Sequence, residues 1–132
     1  MDGWQKPKSL YFIAMEINNL LAKLKQAETI THYWHLRTTS YAKHMALGGF
    51  YEGLQDLTDS LLEAYIGKYG ERPSIPESIS LGKPEDHEAY LKELGDYIDL
   101  YITMSNKDLP IQDHLLDIRN LINKTLYLFT LS

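Results

Sequence analysis

The residues best suited to chemistry are histidines and carboxylates in the first half of the chain. His32, His35 and His44 are three of the five histidines among 132 residues. Asp59 and Glu63 follow, and at about 100° per residue they lie one turn apart on one face of a helix. Imidazole and carboxylate groups without thiolate suit iron, manganese or zinc, and the chain has no cysteine. The sequence therefore predicts a metal site built from these side chains.

Each of these side chains also has a purely structural interpretation. Asp56 lies three residues before Asp59 and could extend the same helix face, yet a single carboxylate is most often a solvated surface group. His87 and His114 stand apart from the others in the sequence. We expect both of them at the surface or at a contact between subunits, because histidine is seldom fully buried.

Four helical stretches must position these side chains, because apolar residues recur in each at spacings of three and four. The stretches cover about residues 8–37, 41–69, 84–105 and 110–129. The expected inward faces consist of the following apolar residues: Leu10, Ile13, Ile17, Leu20, Leu24 and Ala27; Leu47, Phe50, Leu54, Leu57, Leu61 and Tyr65; Leu91, Leu94, Ile98, Tyr101 and Ile102; Ile111, Leu115, Ile118, Ile122, Leu126 and Phe129. Amphipathic helices without strand alternation predict an all-α four-helix bundle.

Three breaks separate these helices. Ser40 is the expected N-cap after the first break. The second break, Gly70 to Pro84, is the longest connection, and its prolines exclude one continuous helix. Ile75, Ile79 and Leu81 suggest that part of this connection packs down as one short helical turn. Its last residue, Pro84, suits the first position of the third helix.

Three glycines, Gly48, Gly49 and Gly53, lie inside the second predicted helix. Each costs roughly 1 kcal/mol of helix propensity relative to alanine. Such glycines usually have a packing reason, so we expect them to let another helix come close.

Length and composition limit the function classes. The 132 residues suit one domain, residues 1–132, and 44% hydrophobic residues suit a folded core. The net charge of −5 disfavours DNA binding through phosphate neutralisation. The sequence contains no apolar run of roughly 18 residues, so no membrane span is expected. Because Met1 to Lys8 lacks the order of a signal peptide, we expect a cytoplasmic protein.

The joint spacing of four of the candidate ligands is more specific than any one of them. His32, His44, Asp59 and Glu63 form the pattern His-x11-His-x14-Asp-x3-Glu. This pattern resembles the Dps-type miniferritins, whose ferroxidase centre has that order and spacing. The resemblance is clearest over residues 31–70.

The resemblance implies a ferritin-like four-helix bundle with an iron site between subunits. His32 and His44 would be nitrogen ligands from one chain, and Asp59 and Glu63 would come from its two-fold neighbour, with Glu63 as a bridge. Trp34 would be the aromatic residue near the centre. In this family Fe(II) is oxidised, preferably by hydrogen peroxide, and twelve subunits form a shell that stores ferric mineral. Iron would be the bound metal, with zinc or manganese as alternatives.

The sequence departs from that family at several positions. The family has tryptophan directly after its first histidine, whereas Tyr33 follows His32 here. It also has a carboxylate four residues after its second histidine, where this chain has Gly48, and the nearest carboxylate on that face is Glu52. The basic N-terminal tail with which some members bind DNA is nearly absent. Activity, shell size and DNA binding are therefore separate questions.

Residues 34–70 also resemble a short Dps-like family of large tailed phages, which has no established reaction. There His35 would matter as much as His32, so His35, Glu52, Asp56 and Trp34 are additional site candidates.

Two main hypotheses for the function follow. One is an iron-binding miniferritin with ferroxidase activity. The other is an oligomeric Dps-like bundle without that activity, used for binding, sequestration or virion structure, in the host cytoplasm or the virion. DNA condensation is a weaker third hypothesis, and at least a two-fold dimer is expected in either main case.

Overall fold

Four helices make up the part of the chain that the structure, a computed structural model, describes: residues 8–131, with side chains from Glu16 onward. They are α1 (Lys8–Arg37), α2 (Tyr41–Tyr69), α3 (His87–Met104) and α4 (Leu109–Phe129). No strand occurs among residues 8–131, so the predicted all-α four-helix bundle is confirmed. Over the same residues, no helix is both long enough and apolar enough to cross a membrane.

The helices form a ring in which α1 and α4 each pack on both α2 and α3. Short turns make α1 and α2, and likewise α3 and α4, antiparallel neighbours. The end of α2 meets the start of α4, where the Tyr69 hydroxyl donates to Asp108. The start of α3 meets the end of α1, where His87 stacks on Trp34. The connection 70–86 therefore returns along the length of the bundle, and α2 and α3 run parallel at opposite corners.

The connection 70–86 contains no helix, so the predicted short helical turn is wrong. Ile75 is 95% exposed and Ile79 is 39% exposed, so neither packs down as expected. Of the three apolar residues singled out there, Leu81 alone packs against the core. The prolines Pro73 and Pro76 remove backbone donors that a helical turn would need.

Hydrogen bonds to α1 fix the path of this connection instead. The Ser74 backbone N–H donates to Asn18 Oδ1 at 2.9 Å, and Gln26 Nε2 donates to the Ser80 carbonyl oxygen at 2.7 Å. Polar side chains of α1 thus satisfy backbone groups that an irregular segment leaves unpaired.

Capping residues set the helix starts. The Ser40 hydroxyl accepts a backbone N–H of the first turn of α2, which confirms it as the N-cap. α3 begins at His87 rather than at Pro84, because the Asp86 carboxylate caps it and accepts from Ala89 N at 3.0 Å. A capping carboxylate accepts a hydrogen bond from an unpaired backbone N–H of the first turn, and proline has no side-chain acceptor for this purpose.

The core lies between the four helices and consists mainly of the predicted faces. Its largest fully buried side chains are Leu20, Leu24, Leu47, Phe50, Leu54, Leu61, Tyr65, Leu91, Leu94, Ile98, Ile111 and Leu115. Leu57, Ile102, Leu126 and Phe129 lie partly buried at its margin, and Leu10 and Ile13 fall outside the described side chains. Burying each large apolar side chain stabilises the fold by roughly 1.5–3 kcal/mol before entropy is counted.

Gly48 and Gly53 admit side chains from neighbouring helices, as predicted, whereas nothing lies within 4 Å of a Cβ position at Gly49, so the prediction is wrong there. A Cβ atom on Gly53 would lie 3.2 Å from Leu121 Cδ2, so α4 packs closely against α2 there. Gly95 similarly leaves room for the guanidinium of Arg119. That group crosses from α4 to α3 and binds Asp99, with Nε donating to Oδ1 at 3.0 Å.

A buried carboxylate, Asp108, joins the end of α2 to the turn before α4. Lys68 Nζ lies 2.8 Å from Asp108 Oδ1, and the Tyr69 hydroxyl donates to the other carboxylate oxygen. Burial by itself would raise the pKa of Asp108, but hydrogen bonds from Lys68 and Tyr69 outweigh it and hold this pKa below 3.8. The pKa of Tyr69 is raised by burial and by the adjacent carboxylate.

Replacing Asp108 with alanine should destabilise the protein by about 2–3 kcal/mol, because a charge-assisted hydrogen bond is lost and the Tyr69 hydroxyl loses its acceptor. Urea denaturation at neutral pH measures this change. The control, Asp96→Ala, removes an exposed carboxylate of α3 and should cost less than about 0.5 kcal/mol. Equal losses in the two variants would contradict the assigned role of Asp108.

The contribution of Asp108 should also depend on pH in a defined direction. Because its folded pKa lies below 3.8, its stabilisation is complete well above pH 3.8 and is lost as the pH falls below that value towards the folded pKa. The difference in unfolding free energy between wild type and Asp108→Asn should therefore shrink between pH 5 and about pH 2. A difference that stays constant over this range would disprove the linkage.

Candidate functional site

Two of the candidate histidines form a reciprocal pair where α1 joins α2. His35 and His44 lie at nearly equal distances from the turn between the helices, and their rings stack with centroids 3.8 Å apart at 19°. His35 Nδ1 is 2.6 Å from the His44 carbonyl oxygen, and His44 Nδ1 is 2.8 Å from the His35 carbonyl oxygen. Each ring thus binds the backbone of the other residue.

These two hydrogen bonds select the tautomer that each ring adopts when it is neutral. A carbonyl oxygen only accepts, so each Nδ1 carries the proton and donates it. In the neutral ring the lone pair then lies on Nε2. Histidine ligands of metal ions commonly have this arrangement, with one ring N–H held by a backbone carbonyl. Within residues 16–131 neither Nε2 has a hydrogen-bond partner.

His32 lies beside this pair, on the exposed side of α1. Its ring stacks on Tyr51 of α2 with centroids 4.1 Å apart. Tyr51 also meets the edge of His35 at 5.3 Å, and the His32 and His35 rings are 6.3 Å apart. We call His32, His35, His44 and Tyr51 the ring cluster. The structure therefore groups the predicted histidines and adds one aromatic residue to them.

Gly48 provides the space that His35 occupies. A Cβ atom at position 48 would lie 2.9 Å from His35 Cε1 and 3.1 Å from His35 Nδ1. Any larger side chain would therefore displace this ring from α2. A carboxylate side chain at position 48 would likewise overlap His35.

The candidate carboxylates lie together on the solvent side of α2. Glu52, Asp56, Asp59 and Glu63 are all exposed, and no ion pair involves any of them in the described part of the chain. Fifteen residues of helix separate His44 from Asp59, which corresponds to about 22 Å along the axis. One chain cannot join these ligands, and residues 8–131 contain no group of three or more His, Asp or Glu placed to hold a metal ion.

Trp34 lies on a different side of α1 from the ring cluster. Its indole stacks on His87 with centroids 4.0 Å apart and meets Tyr90 edge-on at 5.4 Å. His87, expected at the surface or at a contact between subunits, is half-buried in this stack. Burial and the nearby charge of Lys43 lower the pKa of His87 below 6.5, although Asp86 partly offsets them. The structure therefore places Trp34 against α3.

Sequence reasoning missed Tyr51 and the pairing of His35 with His44. In an antiparallel helical hairpin, residues equally distant from a tight turn face each other, and positions 35 and 44 satisfy this rule. Tyr51 lies seven residues, or two turns, after His44 and so shares its side of α2. The turn position and the helical period together contain this signal.

Alanine substitutions at two adjacent glycines test the packing of the histidine pair. Gly48→Ala should destabilise the protein by about 1–3 kcal/mol, because the new methyl group displaces the His35 ring. Gly49→Ala is the matched control, since nothing lies within 4 Å of a Cβ there, and it should stabilise by about 0.5–1 kcal/mol. Urea denaturation and imidazole nitrogen NMR shifts measure both effects. Unchanged His35 and His44 shifts in Gly48→Ala would refute this packing.

Comparison with known proteins assigns the chain to a family. The family model described as "Family of unknown function (DUF5856)" matches residues 35–129. That range includes His35, His44, Asp59 and Glu63 but excludes His32. An uncharacterised 14.6 kDa protein of Enterobacteria phage T4, encoded in the mobD-ri intergenic region, is 33% identical over 118 residues, which cover 84% of this chain and 85% of the phage protein.

The phage relative supports the expected likeness to a phage protein family. No solved structure matches the chain. Because the family model covers well over half of its length, the chain belongs to the DUF5856 family, a family of unknown function.

Proposed function

We propose that the protein is an oligomeric, ferritin-like bundle that binds Fe(II) between two subunits and oxidises it as a Dps-like miniferritin does. His44, with His32 or His35, supplies nitrogen ligands from one subunit. Asp59 and Glu63 of the partner subunit supply oxygen ligands, and Glu63 bridges two ions. Zinc and manganese are the alternative metals for the same donor set.

The observation that carries this proposal is the reciprocal histidine pair. Both Nδ1 atoms of His35 and His44 donate to backbone carbonyls at 2.6 and 2.8 Å. When neutral, each ring therefore keeps a lone pair on Nε2, at a position that is fixed before any ligand arrives. A site with fixed donors loses less conformational entropy on binding than a mobile one.

The acidic face of α2 supports a site between two subunits. Glu52, Asp56, Asp59 and Glu63 are exposed without an ion pair among the residues described. A two-fold axis near the middle of α2 would pair two such helices in antiparallel fashion. Position 44 of one chain would then lie level with position 63 of the other. Two opposed rows of carboxylates repel each other, and bound cations would offset this repulsion.

The topology supports the ferritin-like part of the proposal. A single long connection runs back along the bundle between α2 and α3. Ferritin-like bundles have one such crossover, whereas simple up-and-down bundles have none.

In the proposed reaction, Fe(II) is the substrate and hydrogen peroxide is the oxidant. Two Fe(II) ions each lose one electron, the O–O bond of one peroxide breaks, and two protons are taken up to form two waters. The carboxylates of Asp59 and Glu63 hold the ions and stabilise their increasing charge. The histidine nitrogens complete only part of the coordination sphere, which leaves room for peroxide.

Anaerobic Fe(II) titration of the metal-free protein, followed by peroxide, tests this function. Wild type should bind about one or two irons per chain saturably and oxidise them rapidly. His44→Ala and Asp59→Ala should each lose this binding. The matched controls His114→Ala and Asp96→Ala replace a histidine of α4 and an exposed carboxylate of α3, and both should retain it. Binding that survives in His44→Ala and Asp59→Ala would overturn the proposed site.

Mixed oligomers test whether the site is shared between subunits. Co-expression of His44→Ala chains with Asp59→Ala chains creates pairs in which one of the two sites has both intact halves. These mixtures should therefore regain iron binding that neither variant has alone. If binding is not restored although mixed oligomers form, the ligands do not come from different subunits.

The second candidate is an oligomeric Dps-like bundle without iron chemistry, used for binding, sequestration or virion structure. The same histidine pair favours it in one respect. His35 and His44 stack on each other and bind each other's backbone, so they hold α1 and α2 together without a metal ion. An intact oligomer that binds no Fe(II), Zn(II) or Mn(II) would support this second function.

A further inference from the structure

A cavity lies on the side of α1 that faces away from the ring cluster. Its volume is about 720 Å³, within the range of roughly 300–1,000 Å³ that is usual for small-molecule sites. The last turns of α1 supply Ile30 and Trp34, and the end of the connection 70–86 supplies Leu81 and Pro84. Elements distant in sequence thus converge on one partly apolar space.

Three cations surround this cavity. Arg37 ends α1, Lys43 lies in the first turn of α2, and Lys83 lies in the connection. One carboxylate, Glu85, also lines the cavity. None of the three cations takes part in an ion pair within the described residues. Because the whole chain has a net charge of −5, this is a local positive region on an acidic protein.

One wall of the cavity is aromatic. Trp34 and His87 both line it and stack on each other at 4.0 Å and 23°. Burial and the charge of Lys43 lower the pKa of His87. The stacked rings give this wall an apolar surface, and the three neighbouring cations supply positive charge.

The backbone at the cavity mouth has an unusual conformation. Lys83 has a φ of 49°, and it is the one non-glycine residue with positive φ in the described chain. Gly82 before it has a φ of 69°, and proline follows it. Left-handed lysine is unfavourable and persists only where the surroundings enforce it. Here it places Lys83 at the edge of the cavity, four residues before α3 begins.

We propose that this cavity binds a small organic anion with an apolar body. The apolar body would contact Trp34, His87 and Leu81, and a phosphate or carboxylate group would bind Arg37, Lys43 and Lys83. Guanidinium and ammonium groups are the usual partners of such anions, with arginine able to bind two oxygens at once. This site is independent of the proposed iron site, which lies on the other side of α1.

Fluorescence titration with a matched pair of dyes tests the proposal. The anionic probe is 8-anilinonaphthalene-1-sulfonate, and its uncharged relative is N-phenyl-1-naphthylamine. A Trp4→Phe background leaves Trp34 as the single tryptophan. We expect the anionic dye to bind saturably, to quench Trp34 emission by energy transfer, and to bind at least ten-fold more tightly than the neutral dye.

Two triple variants with the same change of net charge separate a local effect from a general one. Arg37→Gln, Lys43→Gln and Lys83→Gln together should weaken binding of the anionic dye by roughly ten-fold or more and leave that of the neutral dye within about two-fold. The control variant carries Arg72→Gln, Lys107→Gln and Lys124→Gln, which remove cations outside the cavity. It should change neither affinity by more than about two-fold.

Either of two results would overturn the proposal. One is equal binding of the anionic dye to the cavity variant and the control variant. The other is saturable binding of this dye without quenching of Trp34. Circular dichroism and urea denaturation establish that both triple variants fold. If the cavity variant does not fold, the single variant Lys83→Gln replaces it, and a loss of at least three-fold in anionic-dye affinity is then required.

Discussion

The rotation of α1 in its last turns is set by the pairing of His35 with His44. Stacking and two reciprocal hydrogen bonds hold the His35 ring against α2, and Gly48 is needed for this close approach. Successive residues of a helix point about 100° apart. Once His35 faces α2, Trp34 must face α3 and His32 must lie near the exposed margin beside Tyr51. The functional surfaces at this end of the bundle all follow from this single contact.

The result is a bundle end with two chemically different sides. One side combines imidazoles with the exposed carboxylates of α2 and suits cations. The other combines an aromatic wall with Arg37, Lys43 and Lys83 and suits anions. The two sides are separated by the width of α1. A chain of 132 residues can therefore present opposite electrostatic preferences, because a helix is roughly 10 Å wide and salt screens exposed charges over about that distance.

The helices and the core could be predicted from the sequence because periodic apolar residues act locally and repeatedly. Ser40 was also predictable, since capping depends on near neighbours. The start of α3 was predicted less well, because proline at position 84 and the carboxylate of Asp86 are competing signals and only the carboxylate caps the helix. The path of the connection 70–86 is fixed by hydrogen bonds with the side chains of Asn18 and Gln26. Both residues are more than fifty positions away in the sequence, so no local pattern in the connection indicates these bonds.

The candidate site was predictable in its residue types but not in its arrangement. The spacing pattern singled out His32, His44, Asp59 and Glu63, whereas the stack of His35 on His44 depends on how two helices meet. The burial of His87 depends on its contact with Trp34 of another helix. The residues around His87 in the sequence do not indicate that contact, and by themselves they predict a surface position. Whether carboxylates from a neighbouring subunit complete the site is a property of an assembly, and a single sequence encodes that only through exposed side chains.

The long connection has a consequence for how the protein is built. It joins the hairpin α1–α2 to the hairpin α3–α4. Ser74 and Ser80 of the connection each form one hydrogen bond with α1, and Ile75 between them is almost fully exposed. Each half is a helical hairpin with its own apolar stripe, and the two stripes bury each other. The covalent link therefore contributes mainly by raising the effective concentration of one hairpin near the other. In this sense the bundle is a complex of two helical hairpins that happens to be encoded as one polypeptide.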